Sequence, residues 1–385
     1  MIKIGEASQD HRRAGVDTGV ITLFLAGDVM TGRGIDQRLP HPGNLRIYEA
    51  SLTSSADYVA LAERANGVIP KPVDFAYIWG DALCELSNRK PDVRIVNLET
   101  AVTRSALAEP KGINYKMSPR NVPVLTAAGI DCCALANNHV LDWGRSGLLE
   151  TLDTLRTAGI KTVGAGRTID EAAAPATLPI GNGGRVLVLA LGSTTSGIPQ
   201  NWAATNREPG INLPPDLSLG TVRRIAQQMG QMRMPRDILV VSIHWGDNWG
   251  YGISRQQVDF AHALIDEAGV DLVFGHSSHH PKAIEVYRER LVLYGCGDFI
   301  DDYEGIGGYE AFRDDLVLMY FATVRVRDGG LEQLTMIPLQ IRNFRLNRAS
   351  PEDVEWLRHT LDREGRRFGT RVQVNGDSAL TIAWD

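Results

Sequence analysis

Five of the nine histidines in this 385-residue chain fall in three short clusters: Asn137-Asn138-His139 with Asp142 three residues on, His244-Trp245-Gly246-Asp247, and Gly275-His276-Ser277-Ser278-His279-His280. Carboxylates gather in three more: Gly27-Asp28, Asn97-Leu98-Glu99, and Gly297-Asp298 with Asp301 and Asp302 close behind. Carboxylate, amide and imidazole together make a mixed oxygen and nitrogen donor set suited to a divalent metal. Asp28, Glu99, Asn138, His244 and His276 are the candidate ligands. Oxygen donors favour magnesium, calcium or manganese, and imidazoles favour zinc or iron. His139 with Asp142, and His276 or His279 with Asp298, Asp301 or Asp302, are candidate proton-transfer pairs. A carboxylate on one ring nitrogen fixes the tautomer and raises the basicity of the other. Arg33 and Arg145 are candidates for pairing with a substrate carboxylate, and Trp245 and Trp249 for stacking on an apolar group. Taken singly, each cluster has a plainer reading as a turn, a helix cap or a packing aromatic; their conjunction points to a site.

Something must bring these residues together, and the chain offers strands. Short apolar runs recur at 20–26, 93–98, 132–136, 185–191, 238–243, 271–274, 291–294 and 316–326. Continuous runs of this length read as strands buried on both faces. Leu148, Leu152 and Leu155 before Gly159, and Val258, Ala261 and Ile265 before Gly269, carry helical spacing with a glycine stop. The alternation predicts a largely parallel, layered α/β core, with a terminal hairpin from the 316–326 run through Asp328-Gly329-Gly330 to 331–341. Nearly every polar cluster follows a predicted strand directly, and in open α/β sheets the carboxyl edge of the strands is where sites assemble. Residues 1–19 read as an N-terminal extension and 20–385 as one domain. Segments near 40–72 and 193–218 read as insertions long enough to be binding loops or lids.

With 43% hydrophobic and 22% charged residues, the composition is that of a globular protein with a large core. A net charge of −6 argues against nucleic acid or an anionic membrane surface as partner. Cys84, Cys132, Cys133 and Cys296 show no CxxC spacing, so reduced thiols are expected and a thiolate zinc site is not. The first 19 residues contain no apolar leader segment, and no run approaches the roughly 18 apolar residues of a membrane span. A cytoplasmic protein is the expectation.

At the clustered residues the chain resembles the capsule-biosynthesis CapA family, the poly-γ-glutamate synthesis proteins, a branch of the calcineurin-like metallophosphoesterase fold. The resemblance rests on Gly27-Asp28-Val29-Met30 with Gly32-Arg33, Asn97-Leu98-Glu99, Ala136-Asn137-Asn138-His139 with Leu141-Asp142, His244-Trp245-Gly246, Gly275-His276 with His279, and Tyr294-Gly295-Cys296-Gly297-Asp298-Phe299. It implies a four-layer αββα sandwich with a metal at the sheet edge. Three departures from the phosphoesterase pattern stand out. Met30 replaces an expected His, Asn97-Leu98-Glu99 replaces a metal-bridging Gly-Asp-x-x-Asp, and Ser278 stands where a second His belongs. A two-metal clamp holds its ions about 3.5–4 Å apart, and the chain reads as short of ligands for it, so one ion or a weakly held pair is expected. The group also contains lasso-peptide epimerases. The resulting expectation is a metal-dependent epimerase that inverts the Cα centre of the C-terminal residue of a lasso-type precursor peptide by two-sided His/Asp acid–base catalysis, with a further protein delivering that precursor. The alternative is a metal-dependent hydrolase of a phosphoester or of a peptide or γ-glutamyl bond in polymer biosynthesis.

Overall fold

The computed structural model describes residues 19–181 and 183–385, so the expected N-terminal extension lies, apart from Gly19, outside the described residues. Six strands carry the polar clusters: β1 (Val20–Val29), β2 (Val93–Leu98), β3 (Cys132–Ala134), β4 (Ile238–His244), β5 (Leu272–His276) and β6 (Asp298–Ile300). The first five match predicted apolar runs. The sixth is a separate three-residue strand that the sequence merged into the tail of Arg290–Leu293.

Two sheets share these strands. In the larger, of ten strands, β1 lies between β2 and Leu316–Arg325, β3 and Lys161–Val163 continue beyond β2, and β6 pairs with β1 as well. In the smaller, of six strands, the order is Ile284–Tyr287, Arg290–Leu293, β5, β4, Arg185–Gly192 and Ala176–Pro179. Pairing is parallel through the centre of the smaller sheet, whose two outermost pairs are antiparallel; in the larger sheet it is parallel from β1 through β2 and β3 to the Lys161–Val163 edge, and antiparallel from β1 through Leu316–Arg325 onward. The sheets are therefore mixed rather than largely parallel. The predicted hairpin forms from Leu316–Arg325 and Leu331–Ile341 but is not terminal. A helix, Pro351–Gly365, and a second hairpin, Thr370–Val374 with Leu380–Trp384, follow it.

Successive residues of a strand point to opposite faces, and β1 shows why its sequence is apolar throughout. Leu23 and Leu25 join Ile95, Val188, Val240 and Phe274 in a core between the two sheets. Phe24 and Ala26 face the other way, onto Val59, Leu86, Leu148 and Leu152 from three helices. The outer face of the smaller sheet is covered by Leu219–Gly230 and Arg255–Ala268 through Val222 and Leu264. The result is the four-layer αββα sandwich. Helix Arg255–Ala268 illustrates the local signals: a Ser254–Gln257 capping box starts it and left-handed Gly269, φ 66°, ends it. The 40–72 segment contains a capped helix, Ser55–Asn66. The 193–218 segment contains two short 3-10 turns and a two-residue strand, Gly210–Ile211, paired with Ala165–Gly166. Among the described residues, no helix is long and apolar enough to cross a membrane.

Candidate metal centre

Gly27 sets the position of Asp28. In the pairing of β1 with β2, Ala26 faces Val96 and Asp28 faces Asn97, which leaves Gly27 as the extra residue of a bulge. Bulges re-aim the side chain that follows them. On its other side Asp28 pairs with Asp298 of β6, and the approach is so close that a Cβ on Gly27 would lie 1.8 Å from the Gly297 carbonyl oxygen. Only glycine fits. Asp28 is fully buried and accepts hydrogen bonds from Asn97 Nδ2 at 2.7 Å and from the Ser277 backbone N–H at 3.2 Å. Ser277 belongs to the other sheet's loop and has φ 98°, an uncommon conformation for a residue with a Cβ.

Two sets of donor atoms meet at Asp28. Asp28, His244 and His276 form one, and Asp28, His279 and Asp298 the other. In the first, His244 Nδ1 lies 2.7 Å from His276 Nδ1, and His276 Nδ1 lies 3.9 Å from Asp28 Oδ1. The outer nitrogens are engaged: His244 Nε2 with Asn138 Oδ1 at 3.0 Å, and His276 Nε2 with the Ser242 hydroxyl at 2.7 Å. A consistent neutral network has His244 Nε2–H donating to Asn138, which leaves His244 Nδ1 as a bare lone pair facing inward. Asn138, expected as a ligand, thus uses its side-chain oxygen to orient His244. Glu99 stands beside both sets. Its Oε2 accepts from Asn97 Nδ2 at 3.1 Å, and its Oε1 lies 3.8 Å from His139 Nε2.

The electrostatics fit a cation. Burial pushes the Asp28 carboxyl up to about 6 against the pull of its Asn97 hydrogen bond. Burial, then the charges of Asp28 and Asp298, hold Glu99 well above its ordinary range, and burial followed by the Asp28 charge does the same to Asp298. Burial likewise lowers His276 to about 3 and His244 well below its usual value. Among the described residues, no arginine or lysine forms an ion pair with Asp28, Glu99 or Asp298. Three buried carboxylates with no arginine or lysine partner, next to two neutral imidazoles, are a donor set that a divalent ion satisfies.

The first expected proton-transfer pair forms directly. His139 Nδ1 lies 2.6 Å from Asp142 Oδ2, and the same carboxylate accepts from Lys111 Nζ at 2.8 Å and from the Tyr115 N–H at 2.6 Å. Burial lifts Asp142 to about 7, opposed chiefly by Lys111. Burial and then the Lys111 charge keep His139 well below its ordinary value. In the second pair, His279 Nδ1 sits 2.9 Å from Asp298 Oδ1, with Asn248 Nδ2 at 3.0 Å from its Nε2. Of the three carboxylates considered for this pair, Asp301 caps the Tyr303 N–H and Asp302 binds Arg33.

The four expected substrate contacts are engaged by other residues of the protein. The buried Arg33 guanidinium is held by Asp302, Glu49 and the Tyr58 hydroxyl and stacks 4.2 Å over the Tyr115 ring, so no direction remains for a substrate carboxylate. Arg145 pairs with Glu208 at 2.8 Å and bonds the carbonyls of Asn201 and Pro209, which pins that loop. Trp245 is a core residue, 1% exposed, stacked on Tyr294 and donating to its carbonyl. Trp249 stands 5.2 Å from the His279 ring, but its face is covered by Tyr309 at 3.8 Å. Sequence reasoning missed Lys111, and Tyr115 and Tyr303. The two tyrosine hydroxyls meet, and their rings flank His139 and His279 at 4.2 and 5.4 Å. Met30, unlike a ligating His, takes a hydrogen bond from Tyr303 through its sulfur.

Comparison with known proteins follows the same residues. A model of the bacterial capsule synthesis protein PGA_cap family matches residues 22–303, from β1 to Tyr303. A Mycobacterium tuberculosis protein named a probable polyglutamine synthesis accessory protein is 48% identical over 365 residues, 94% of this chain and 96% of its own. The capsule biosynthesis protein CapA of Bacillus anthracis is 28% identical over 84% of this chain and 68% of its own. The PGA biosynthesis protein CapA of Bacillus subtilis is 26% identical over 84% and 72%. The matched span takes in the carboxyl ends of β1 to β6, and the chain belongs to the bacterial capsule synthesis PGA_cap family.

Proposed function

We propose that the chain is a metal-dependent hydrolase serving synthesis of a glutamate-type capsule polymer, cleaving an amide bond of peptide or γ-glutamyl type in the polymer or its precursor. The polymer comes from the relatives' names, which speak of capsule, PGA and polyglutamine synthesis. The chemistry is carried by one observation: Glu99 joins the Asp28-centred donor sets to the His139–Asp142 pair, its Oε1 lying 3.8 Å from His139 Nε2 and 3.9 Å from His244 Nε2. Asp28, His244 and His276 would hold the ion, with His279 and Asp298 forming the second donor set at Asp28. When bound, the ion supplies positive charge that polarises the bond to be cleaved. Asp142 fixes the Nδ1–H tautomer of His139, so Nε2 is the basic face. Nε2 takes the proton of the attacking water and returns it to the leaving nitrogen, so that hydroxyl ends on the carbonyl carbon and hydrogen on the amine. Lys111 holds Asp142 and the Asn138 carbonyl in place.

Epimerisation needs a second independent acid–base pair. The second such pair at the centre, His279–Asp298, coincides with a donor set for metal, and the relatives' names point to polymer synthesis. One experiment separates the readings. Synthetic γ-linked oligoglutamate is incubated in D₂O with magnesium, calcium, manganese or zinc, and the products are weighed by mass spectrometry. Hydrolysis shortens the chain without deuterium at Cα, and His139→Ala slows it at least about 100-fold. An intact chain with deuterium at Cα would establish epimerisation instead, and no shortened product with any of the four ions overturns the proposal.

A further inference from the structure

Beside the His139–Asp142 pair runs a narrow cleft lined by Asn44, Arg46, Asn114, Lys116 and Trp143, together with Asp36. Two dipeptides join it to the candidate centre. Asp142 holds His139 while Trp143 lines the cleft, and the Tyr115 ring packs on His139 while Lys116 lines the cleft. The cleft holds about 10 Å³, room at its base for one water-sized group such as a carboxylate oxygen or an amide N–H.

Its polar groups are unsatisfied in a particular way. Asn114 is 1% exposed, and its Nδ2 donates to the carbonyls of Glu109 and Asp142, which fixes the amide orientation and leaves Oδ1 buried with no hydrogen-bond partner. A buried acceptor in that state calls for a donor. Lys116 Nζ bonds the Ser105 carbonyl and lies 3.4 Å over the Trp143 ring, and the exposed Arg46 guanidinium lies 5.0 Å over Tyr48. Neither cation has an ion-pair partner among the described residues. Asp36, the nearby carboxylate, is already bonded to the Gly43 and Ser118 N–H groups and to Asn121. Burial lowers the Lys116 ammonium, a penalty that an anion would relieve. The flank beside Tyr303 is different: the cavity there is lined by five carboxylates, Asp301, Glu304, Glu310, Asp314 and Asp315, against two arginines. An acidic chain crossing the centre would be repelled on that flank and received on this one.

From this we infer that the Arg46–Asn114–Lys116 cleft is a substrate subsite for one unit of an acidic, amide-linked chain: the unit's amide N–H enters the base at Asn114 Oδ1, and its carboxylate stays at the mouth with Lys116 and the exposed Arg46. The inference deepens the proposed function and rests on its reading of the polymer as glutamate-type. Its test is binding, measured apart from cleavage. Fluorescein-labelled γ-linked tetraglutamate, and a neutral tetraglutamine analogue, are titrated into the full chain and followed by anisotropy at low and moderate salt. Wild type should prefer the acidic probe, and Arg46→Gln with Lys116→Gln should weaken it about tenfold or more and flatten its salt dependence, leaving the neutral probe unchanged. Acidic-probe affinity within twofold of wild type in the double variant overturns the subsite. If Lys116→Gln does not fold by circular dichroism, the exposed Arg46→Gln alone decides, on a threefold loss or none. A chain that binds the acidic probe through these residues yet cleaves nothing would sink the hydrolase and leave the subsite standing. Cleavage with an unchanged KM in both variants does the reverse.

Discussion

Asp142 is the residue on which most of the proposed chemistry turns. Its two oxygens accept from His139, Lys111 and the Tyr115 N–H at once, so it fixes a tautomer, a charge and a loop together. Asp142→Asn keeps the shape but cannot accept at every position, and it admits the wrong imidazole tautomer. The expected outcome is a fall in kcat of about 10³–10⁴ with KM changed little, as for other His–carboxylate pairs so altered, measured by steady-state kinetics on the γ-linked substrate. A KM effect of that size instead would make Asp142 a binding residue. The histidines and carboxylates were legible in the sequence because each directly follows an apolar run. Lys111 was not, since the loop that carries it has no periodicity and its role appears only when 27–31 residues of chain fold back onto Asn138 and Asp142. Arg33 and Trp245 read as candidate substrate contacts because residue type says nothing of burial; their partners, Asp302 and Tyr294, lie far along the chain.

At the scale of elements, the bulge in β1 is what brings two carboxylates, Asp28 and Asp298, side by side. Gly27→Ala would press a methyl against the Gly297 carbonyl and push β6 off β1. Overpacking of this kind costs about 1–3 kcal/mol, read as a lowered midpoint in urea unfolding. The metal affinity should fall too, because Asp298 moves with β6. Unchanged affinity in a destabilised variant would separate β6 from the centre. The apolar runs announced the long strands, but β6, with its three residues, has no signal of its own and is defined by pairing alone. Likewise the mixed pairing of both sheets depends on which strands meet, as when β1 pairs antiparallel with the distant Leu316–Arg325, a tertiary choice that composition along a strand does not encode.

The molecule as a whole carries a cost in its centre. With no cation present, the Asp28 carboxyl rises from its ordinary 3.8 to about 6 on folding, so the folded state holds that proton more tightly than the unfolded one. Stability of the metal-free protein therefore falls as pH rises through this window, and the whole penalty is present above it. A divalent ion held there would replace the proton and remove the penalty. The thermal midpoint should rise on adding metal and drop with EDTA, by more at pH 7.5 than at pH 5, in scanning fluorimetry; equal shifts at the two pH values would disconnect the ion from Asp28.

The hydrogen bond from Ser277 to Asp28 spans 249 residues and joins the loop of one sheet to a strand of the other. Ser277 makes it only by keeping φ at 98°, a conformation that an L residue abandons when nothing holds it. The contact therefore behaves as a sprung clasp. If the centre is breached, by loss of the Asp28 charge or displacement of β1, the Ser277 amide both loses its acceptor and recoils toward ordinary backbone. Its hydrogen–deuterium exchange would then report the integrity of the seam between the sheets from a single position.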